Sequence, residues 1–406
     1  MAPTPRPAGR LLIPLLVLPL AALAAAAGIF VIPKLAERLF GDDAPPLRYV
    51  DPASIPGSTM DETAAKAFFA PLIGRPSRFQ YDPVAWVVLK PDTGKAFSDW
   101  PEHPSGHIQH LTNNLGFREN EPTTVEKRGY RILVTGDSHT EGAVMNAESY
   151  ANVLEARFNQ ALDPSGATRP VEVINAGVGG TGPHNYLAML QRHLELKPDL
   201  VIAGLFVGND FMNALMHSDF ITKRKAKGRD KEYKARLDAT IEAYPDLPQQ
   251  GYNQPYLFKY CRGDDELALE RTVEVYEGLA GFCADHGIRF LALVIPCKAD
   301  VDGDDDAERI RGLLEMLELS PEEWAVNRRL SDEFVRRLRE QGIDCLDPTQ
   351  AMIDEPEPLY WKKDHHLSTT GHAVVAGLLF RHLRDEVTAA VAAAADAAGA
   401  PGEVTR

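Results

Sequence analysis

The chain has 406 residues, enough for one large folded core or two smaller ones, and its hydrophobic content of 44% is that of a globular protein. Its net charge of -15 argues against a nucleic-acid partner, which calls for a concentrated basic surface. The four cysteines, Cys261, Cys283, Cys297 and Cys345, show neither CxxC spacing nor histidines at metal-ligand intervals, so no metal site is expected, and four small buried side chains are preferred over a Cys297–Cys345 disulfide.

Leu11 to Pro33 is a stretch of 23 residues without a charge, preceded by Arg6 and Arg10 and followed by Lys34 and Arg38. That length spans a bilayer core of about 30 Å, and Pro14 and Pro19 are tolerated in a membrane helix. The competing reading is a cleaved signal peptide, with Leu11 to Leu20 as its apolar core and small-residue cleavage sites over Ala24 to Ala27. An uncleaved N-terminal transmembrane helix is preferred, because the apolar run continues through Ile29, Phe30, Val31 and Ile32. Basic residues are nearly balanced across its two ends and orient it only weakly. A short tail inside and the bulk outside is the usual outcome, so residues 1–40 are read as tail and anchor of an extracytoplasmic domain, or of a secreted one if the segment is cleaved.

Residues 41–128 are rich in Pro and Gly and read as a linker and a small irregular cap, with a short helix expected over 64–73 and a strand over 85–89. From Arg131 onward strand and helix alternate. Ile132, Leu133 and Val134 form a short branched apolar run, the pattern of a buried parallel strand. Gly136-Asp137-Ser138 breaks the run, and a helix follows with apolar spacing at Val153, Leu154, Phe158 and Leu162. Ser138 therefore sits at the carboxyl end of a strand, on the turn into a helix, where open α/β sheets bind ligands and where N–H groups suit an anionic intermediate.

Further strands are expected over 171–175, 200–205, 288–295 and 343–346. Helices are expected from Pro183 to about 196, over 269–286 and 322–340, and from a Ser368 cap to about Arg384. This alternation implies a parallel sheet with helices on both faces. The Ala-rich tail, 387–406, is expected to fray and then be disordered. Two stretches interrupt the pattern. The insertion 211–268 carries a basic run, Lys223 to Arg229, read as a solvated segment in preference to a lid or anion patch. Asp300 to Asp306 is acidic, but Gly303 stands fourth rather than sixth and no Glu stands twelfth, so an exposed acidic loop is expected instead of a calcium loop.

Four segments together carry a resemblance. Gly136 to Gly142 (GDSHTEG), Asn175 to Gly180, Gly208-Asn209-Asp210 and Asp364 to Gly371 resemble, in order, the four blocks of the SGNH/GDSL hydrolases. The resemblance covers about 131–384 and defines a domain over 129–386. It implies an α/β, three-layer α/β/α flavodoxin-like fold with five parallel strands in the order 2-1-3-4-5. It implies a serine esterase or acylhydrolase acting on carboxylic esters, O-acetyl groups on carbohydrate or lipid among them, without a metal or organic cofactor.

On that pattern Ser138 is the nucleophile, His366 its base and Asp364 the group that orients the base. The oxyanion hole is formed by the Ser138 and Gly180 backbone N–H groups and the Asn209 side-chain amide. The chain departs from the pattern twice. Val207 replaces a glycine in the third block, and Lys363 stands three before His366, where the family has Asp, leaving Asp364 only two before. His365 and His372 receive no role. Asn114 to Arg118 resembles a segment upstream of GDS in membrane-anchored members, and a buried Phe117 is preferred there over a substrate role for Arg118. The alternative readings are an O-acyltransferase of envelope polysaccharide, which would need an acyl-donor partner, and a non-catalytic envelope scaffold. Oligomeric state is not legible in the sequence.

Overall fold

A strand with branched apolar side chains on both faces needs cover from both sides and hydrogen-bonding neighbours at both edges. The computed structural model describes residues 62–73, 78–225, 229–245, 247–302 and 307–399. In it, β5 (Tyr130–Gly136) lies between β6 (Val171–Asn175) and β7 (Leu200–Phe206), paired in parallel with both. β8 (Arg289–Ile295) and the two-residue β9 (Cys345–Leu346) extend the sheet, which runs β6-β5-β7-β8-β9. This is the expected five-stranded order. Every residue of β7 is buried, as a strand with both faces covered requires.

The cover is helical on both faces. Tyr150–Leu162 packs against the long C-terminal helix on one side, while Pro183–Arg192, Asp210–Thr222, Asp264–Asp285 and Val326–Glu340 form the other layer. Tyr150, Leu154 and Phe158 bury one face of the first of these, at the expected helical spacing. Ser149 caps it by accepting the Asn152 N–H. All four cysteines are buried and none is in a disulfide, which is the plainer of the two sequence readings.

The cap consists of two antiparallel hairpins, β1 (Phe79–Asp82) with β2 (Trp86–Leu89) and β3 (Phe97–Asp99) with β4 (His107–Gln109), preceded by the short helices Glu62–Phe68 and Ala70–Ile73. Phe117 is buried, as expected, and so is Arg118. Its guanidinium reaches Asn146 Oδ1 (2.8 Å), His110 Nδ1 (2.6 Å) and the Val144 carbonyl (2.7 Å), tying the cap to the loop after the GDS helix.

Three expectations are corrected. The last helix does not stop near Arg384 but spans Thr369–Gly399. Its alanines have the highest helix propensity, and Val387 and Val391 still pack on the core, so the run 387–399 is helix rather than disordered tail. The helix over 322–340 is two, Pro321–Trp324 and Val326–Glu340, the first closed by a Ser320–Glu323 capping box. Of the acidic stretch, Asp300 and Val301 belong to the short helix Lys298–Val301, and 303–306 lie outside the described residues. Asp302 is buried beside Lys298 and accepts the backbone N–H groups of Leu359 (2.9 Å) and Tyr360 (3.0 Å).

In the basic run, Arg224 is paired with Asp219 and Asp264, while 226–228 lie outside the described residues. So do 1–61, with the expected membrane segment 11–33, and 400–406 at the end of the tail. Among the described residues no helix is long and apolar enough to cross a membrane.

Candidate active site

β5 ends at Gly136, and Asp137 caps the single turn Ser138–Glu141 by accepting the His139 N–H at 2.9 Å. This turn fixes Ser138 at the carboxyl edge of the central strand. Across the cleft Tyr360 and Leu367 form an isolated antiparallel bridge that closes a loop carrying Asp364, His365 and His366. The loop and the turn are 228 residues apart in sequence, yet His366 Nε2 lies 2.8 Å from Ser138 Oγ. His366 Nδ1 lies 2.5 Å from Asp364 Oδ1. The structure thus brings Ser138, His366 and Asp364 into one hydrogen-bonded line.

The other aspartates near the end of the sheet are engaged elsewhere. Asp347 accepts the Thr349 N–H at the start of a helix, and Asp354 bonds Gln350. His365 adopts a left-handed backbone (φ 64°), and its ring forms part of a narrow pocket with Phe206, Tyr252, Leu313 and Trp324. His372 bonds the Tyr150 N–H from inside the core, at 3.1 Å.

The two oxyanion candidates beyond Ser138 come from neighbouring loops. β6 exits through Gly177, where a Cβ would stand 2.3 Å from the Glu141 amide nitrogen, so only glycine lets this loop lie against the nucleophile turn. Gly179 sits against Ser138, and its N–H donates to Glu141 Oε2 at 2.7 Å. Gly180 has φ 73°, and a Cβ there would meet Leu72 of the cap at 2.8 Å. Glycine suits 180 through its backbone conformation and its packing against the cap.

Asn209 occupies the N-cap position of Asp210–Thr222, yet its side chain makes no capping bond. Asp210 takes the structural role instead, accepting the Phe206 N–H (2.9 Å) and the Tyr186 hydroxyl (2.8 Å). The Asn209 amide faces Asp137 at the nucleophile turn. Asn213 Nδ2 donates to the Thr181 carbonyl at 3.1 Å and joins the second and third loops.

The electrostatics favour an oriented imidazole of raised basicity. Burial alone would lower the His366 pKa, but its bond to Asp364 and the nearby carboxylates of Asp137 and Glu141 raise it above the ordinary imidazole value. Burial pushes Asp364 up, and the His366 bond outweighs this and holds it below the usual carboxylate range. Burial raises Asp137 to about 6, against the lowering effect of the His139 N–H.

Several residues of this environment carry no sequence signal of their own. His139 is fully buried, stacked on Phe206 at 3.7 Å, and burial with its histidine neighbours keeps it well below the usual imidazole range. It is a neutral wall beside the His366 ring, 4.7 Å away. Glu141 is held ionised at about 2. Burial opposes this, but Arg78 (2.9 Å), His110 (3.6 Å) and Arg118 (3.8 Å) surround the carboxylate. The only trace of Glu141 in the sequence is its place in GDSHTEG, three residues after Ser138.

These groups stand on the carboxyl edge of a five-stranded parallel sheet covered by helices on both faces. A profile described as GDSL-like Lipase/Acylhydrolase family matches residues 134–315, from β5 past the third loop but short of the Asp364–His366 segment. Over these residues, somewhat under half of the chain, the sequence is similar to that family, and the match supports a hydrolase acting on ester bonds.

No curated protein matches the sequence. Among solved structures, the chain is similar to a catalytic mutant of an acetylxylan esterase from Geobacillus stearothermophilus (15% identity, 64% of this chain and 96% of that one, TM-score 0.34). It is similar to a GDSL-like lipase from Bacteroides thetaiotaomicron (13%, 63% and 89%, TM-score 0.32). A lipase from a goat rumen metagenome is a third (15%, 62% and 96%, TM-score 0.34).

Proposed function

We propose that the protein is a serine esterase in which Ser138 Oγ attacks the ester carbonyl carbon while His366 Nε2 takes its proton. The carbonyl oxygen becomes an oxyanion facing the Ser138 and Gly180 N–H groups and the Asn209 amide. Collapse of this intermediate expels the alcohol, which leaves with the proton from His366. Water then attacks the acyl-Ser138 ester by the same steps in reverse, and Asp364 holds the imidazole in the required tautomer throughout. The observation that carries this reading is the line of two hydrogen bonds, 2.8 Å and 2.5 Å, from Ser138 through His366 to Asp364. Its substrates are small-molecule, carbohydrate or lipid esters, O-acetyl esters among them.

Mixing the enzyme with p-nitrophenyl acetate tests the covalent step. A p-nitrophenol burst approaching one equivalent per site is expected when deacylation is the slower half. An ester hydrolysed without any acyl-enzyme, even under rapid quench, would contradict the mechanism.

The uncharged stretch 11–33 supports a membrane tether, with the esterase domain outside the cytoplasm. Removal of residues 1–40 is expected to shift the protein from the membrane fraction to the supernatant with its turnover of soluble esters unchanged. Full-length protein found in the supernatant without detergent would remove the tether from the account.

A further inference from the structure

The short spacing between Asp364 and His366 places a demand on the backbone. At the base of the loop, Trp361 N–H donates to the His366 carbonyl (2.8 Å) and Ser368 N–H to the Leu359 carbonyl (2.9 Å). At the tip, the left-handed His365 turns the chain so sharply that Asp364 Oδ1 meets both the His366 backbone N–H (3.3 Å) and its ring Nδ1 (2.5 Å). Residues with a Cβ disfavour that backbone conformation, so it persists only where the surroundings enforce it.

The enforcing contacts come from outside the sheet. One Glu102 carboxylate oxygen accepts the Lys363 N–H at 2.9 Å, and the other accepts the Asp364 N–H at 3.2 Å. Gln250 Nε2, from the insertion, donates to the Asp364 carbonyl at 3.3 Å. Both peptide groups flanking Asp364 are thereby held. Glu102 is itself well seated, because Trp100 packs with Ala143, Val144 and Trp361, and His103 bonds Glu148 at 3.0 Å.

We propose that Glu102 is a positioning residue for the reaction. It fixes Asp364, and through Asp364 the His366 imidazole, in a loop whose spacing does not do so alone. The proposal rests on the Ser138–His366–Asp364 reading of the site. Without the Glu102 carboxylate the loop tip relaxes and the Asp364–His366 bond weakens. The imidazole is then less often presented to Ser138 with its Nε2 free of a proton. Glu102 acts through the Lys363 and Asp364 N–H groups, so binding should not change.

The groups facing His366 are Asp364 and His365 on its own loop, Asp137, His139 and Glu141 on the nucleophile turn, and His372 on the following helix; Lys298 and Glu102 face His365. Asp364 is the partner that most offsets the effect of burial on His366. Loosening it therefore lowers the His366 pKa, and the acidic limb of the activity profile moves to lower pH.

The test measures kcat, KM, the pH profile of kcat/KM and the melting temperature of the full chain on p-nitrophenyl acetate. The variants are E102A and E102Q, with S138A as the blank. E102A is expected to lose about 10- to 100-fold in kcat, the scale of a misplaced catalytic group, with KM nearly unchanged and the acidic limb displaced downward. E102Q keeps one acceptor oxygen and should recover much of the kcat. E102D, too short to reach both N–H groups, carries the E102A expectation if E102A does not fold. The proposal is overturned if E102A stays within about threefold of wild-type kcat, or if KM rises while kcat holds. Equal losses in E102A and E102Q would also overturn it, since they would mark the charge of Glu102 rather than its anchoring as the cause. Wild-type turnover by S138A would overturn the reading of the site itself.

Discussion

His366→Ala should lose as much turnover as Ser138→Ala, about 10⁶-fold in kcat, while His365→Ala stays within about threefold of wild type. A nucleophile and its base act as a unit, so removing either removes the same step. Two adjacent histidines make this a sharp comparison, since the resemblance selects His366 over its neighbour His365 by register alone. The geometry separates them. His366 Nε2 is 2.8 Å from the serine oxygen, whereas the His365 ring lies in the pocket wall with Phe206 and Tyr252. His365→Ala also keeps the local backbone, because alanine meets no new clash at a position already occupied by a residue with a Cβ. Asp364→Asn should cost a large but smaller factor, about 10⁴-fold, through the wrong imidazole tautomer. The measurement is kcat on a short-chain ester for each single mutant, with folding followed by circular dichroism. An inactive His365→Ala beside an active His366→Ala would reverse the assignment of the base.

Asn209→Ala is expected to lower kcat by about 10²- to 10³-fold with the fold intact, the usual loss for one oxyanion donor. The competing role for an asparagine at this place is a helix cap, whose removal would show as lost stability instead. The structure separates the two roles, because Asn209 stands at the cap position but its side chain makes no capping bond. The neighbouring helix start is secured by the buried Asp210 carboxylate. A loss of stability with kcat changed by less than about threefold would return Asn209 to the role of a cap.

The central sheet and the serine turn were legible in the sequence because both are local. Ile132 to Val134 is an apolar run that only a buried strand accommodates, and the Gly136–Ser138 break follows it directly. The D-x-H register of the last block was legible as spacing. Its enabling device was not, since nothing in the sequence marks His365 as left-handed.

The residues missed act across long separations. Glu102 meets Asp364 from 262 positions away, and Arg78 meets Glu141 across the boundary between cap and sheet. Such partners leave no periodic trace, and the cap, read as irregular, offered no face from which to expect them. The opposite error occurred at the C terminus. An alanine run has low complexity but strong helix propensity, and Val387 and Val391 at helical spacing were the sign that it continues to pack. Arg224 shows the same limit of local reading. Within the chain it is one cation of a basic run, and in the fold it is paired with Asp219 and Asp264.

Peptide mapping after reaction with a fluorophosphonate tests most directly whether Ser138 is the nucleophile. The account predicts a single modified serine, Ser138, with the labelling rate falling together with ester turnover in His366→Ala. Label on any other serine, or none on protein that still turns over ester, would contradict it.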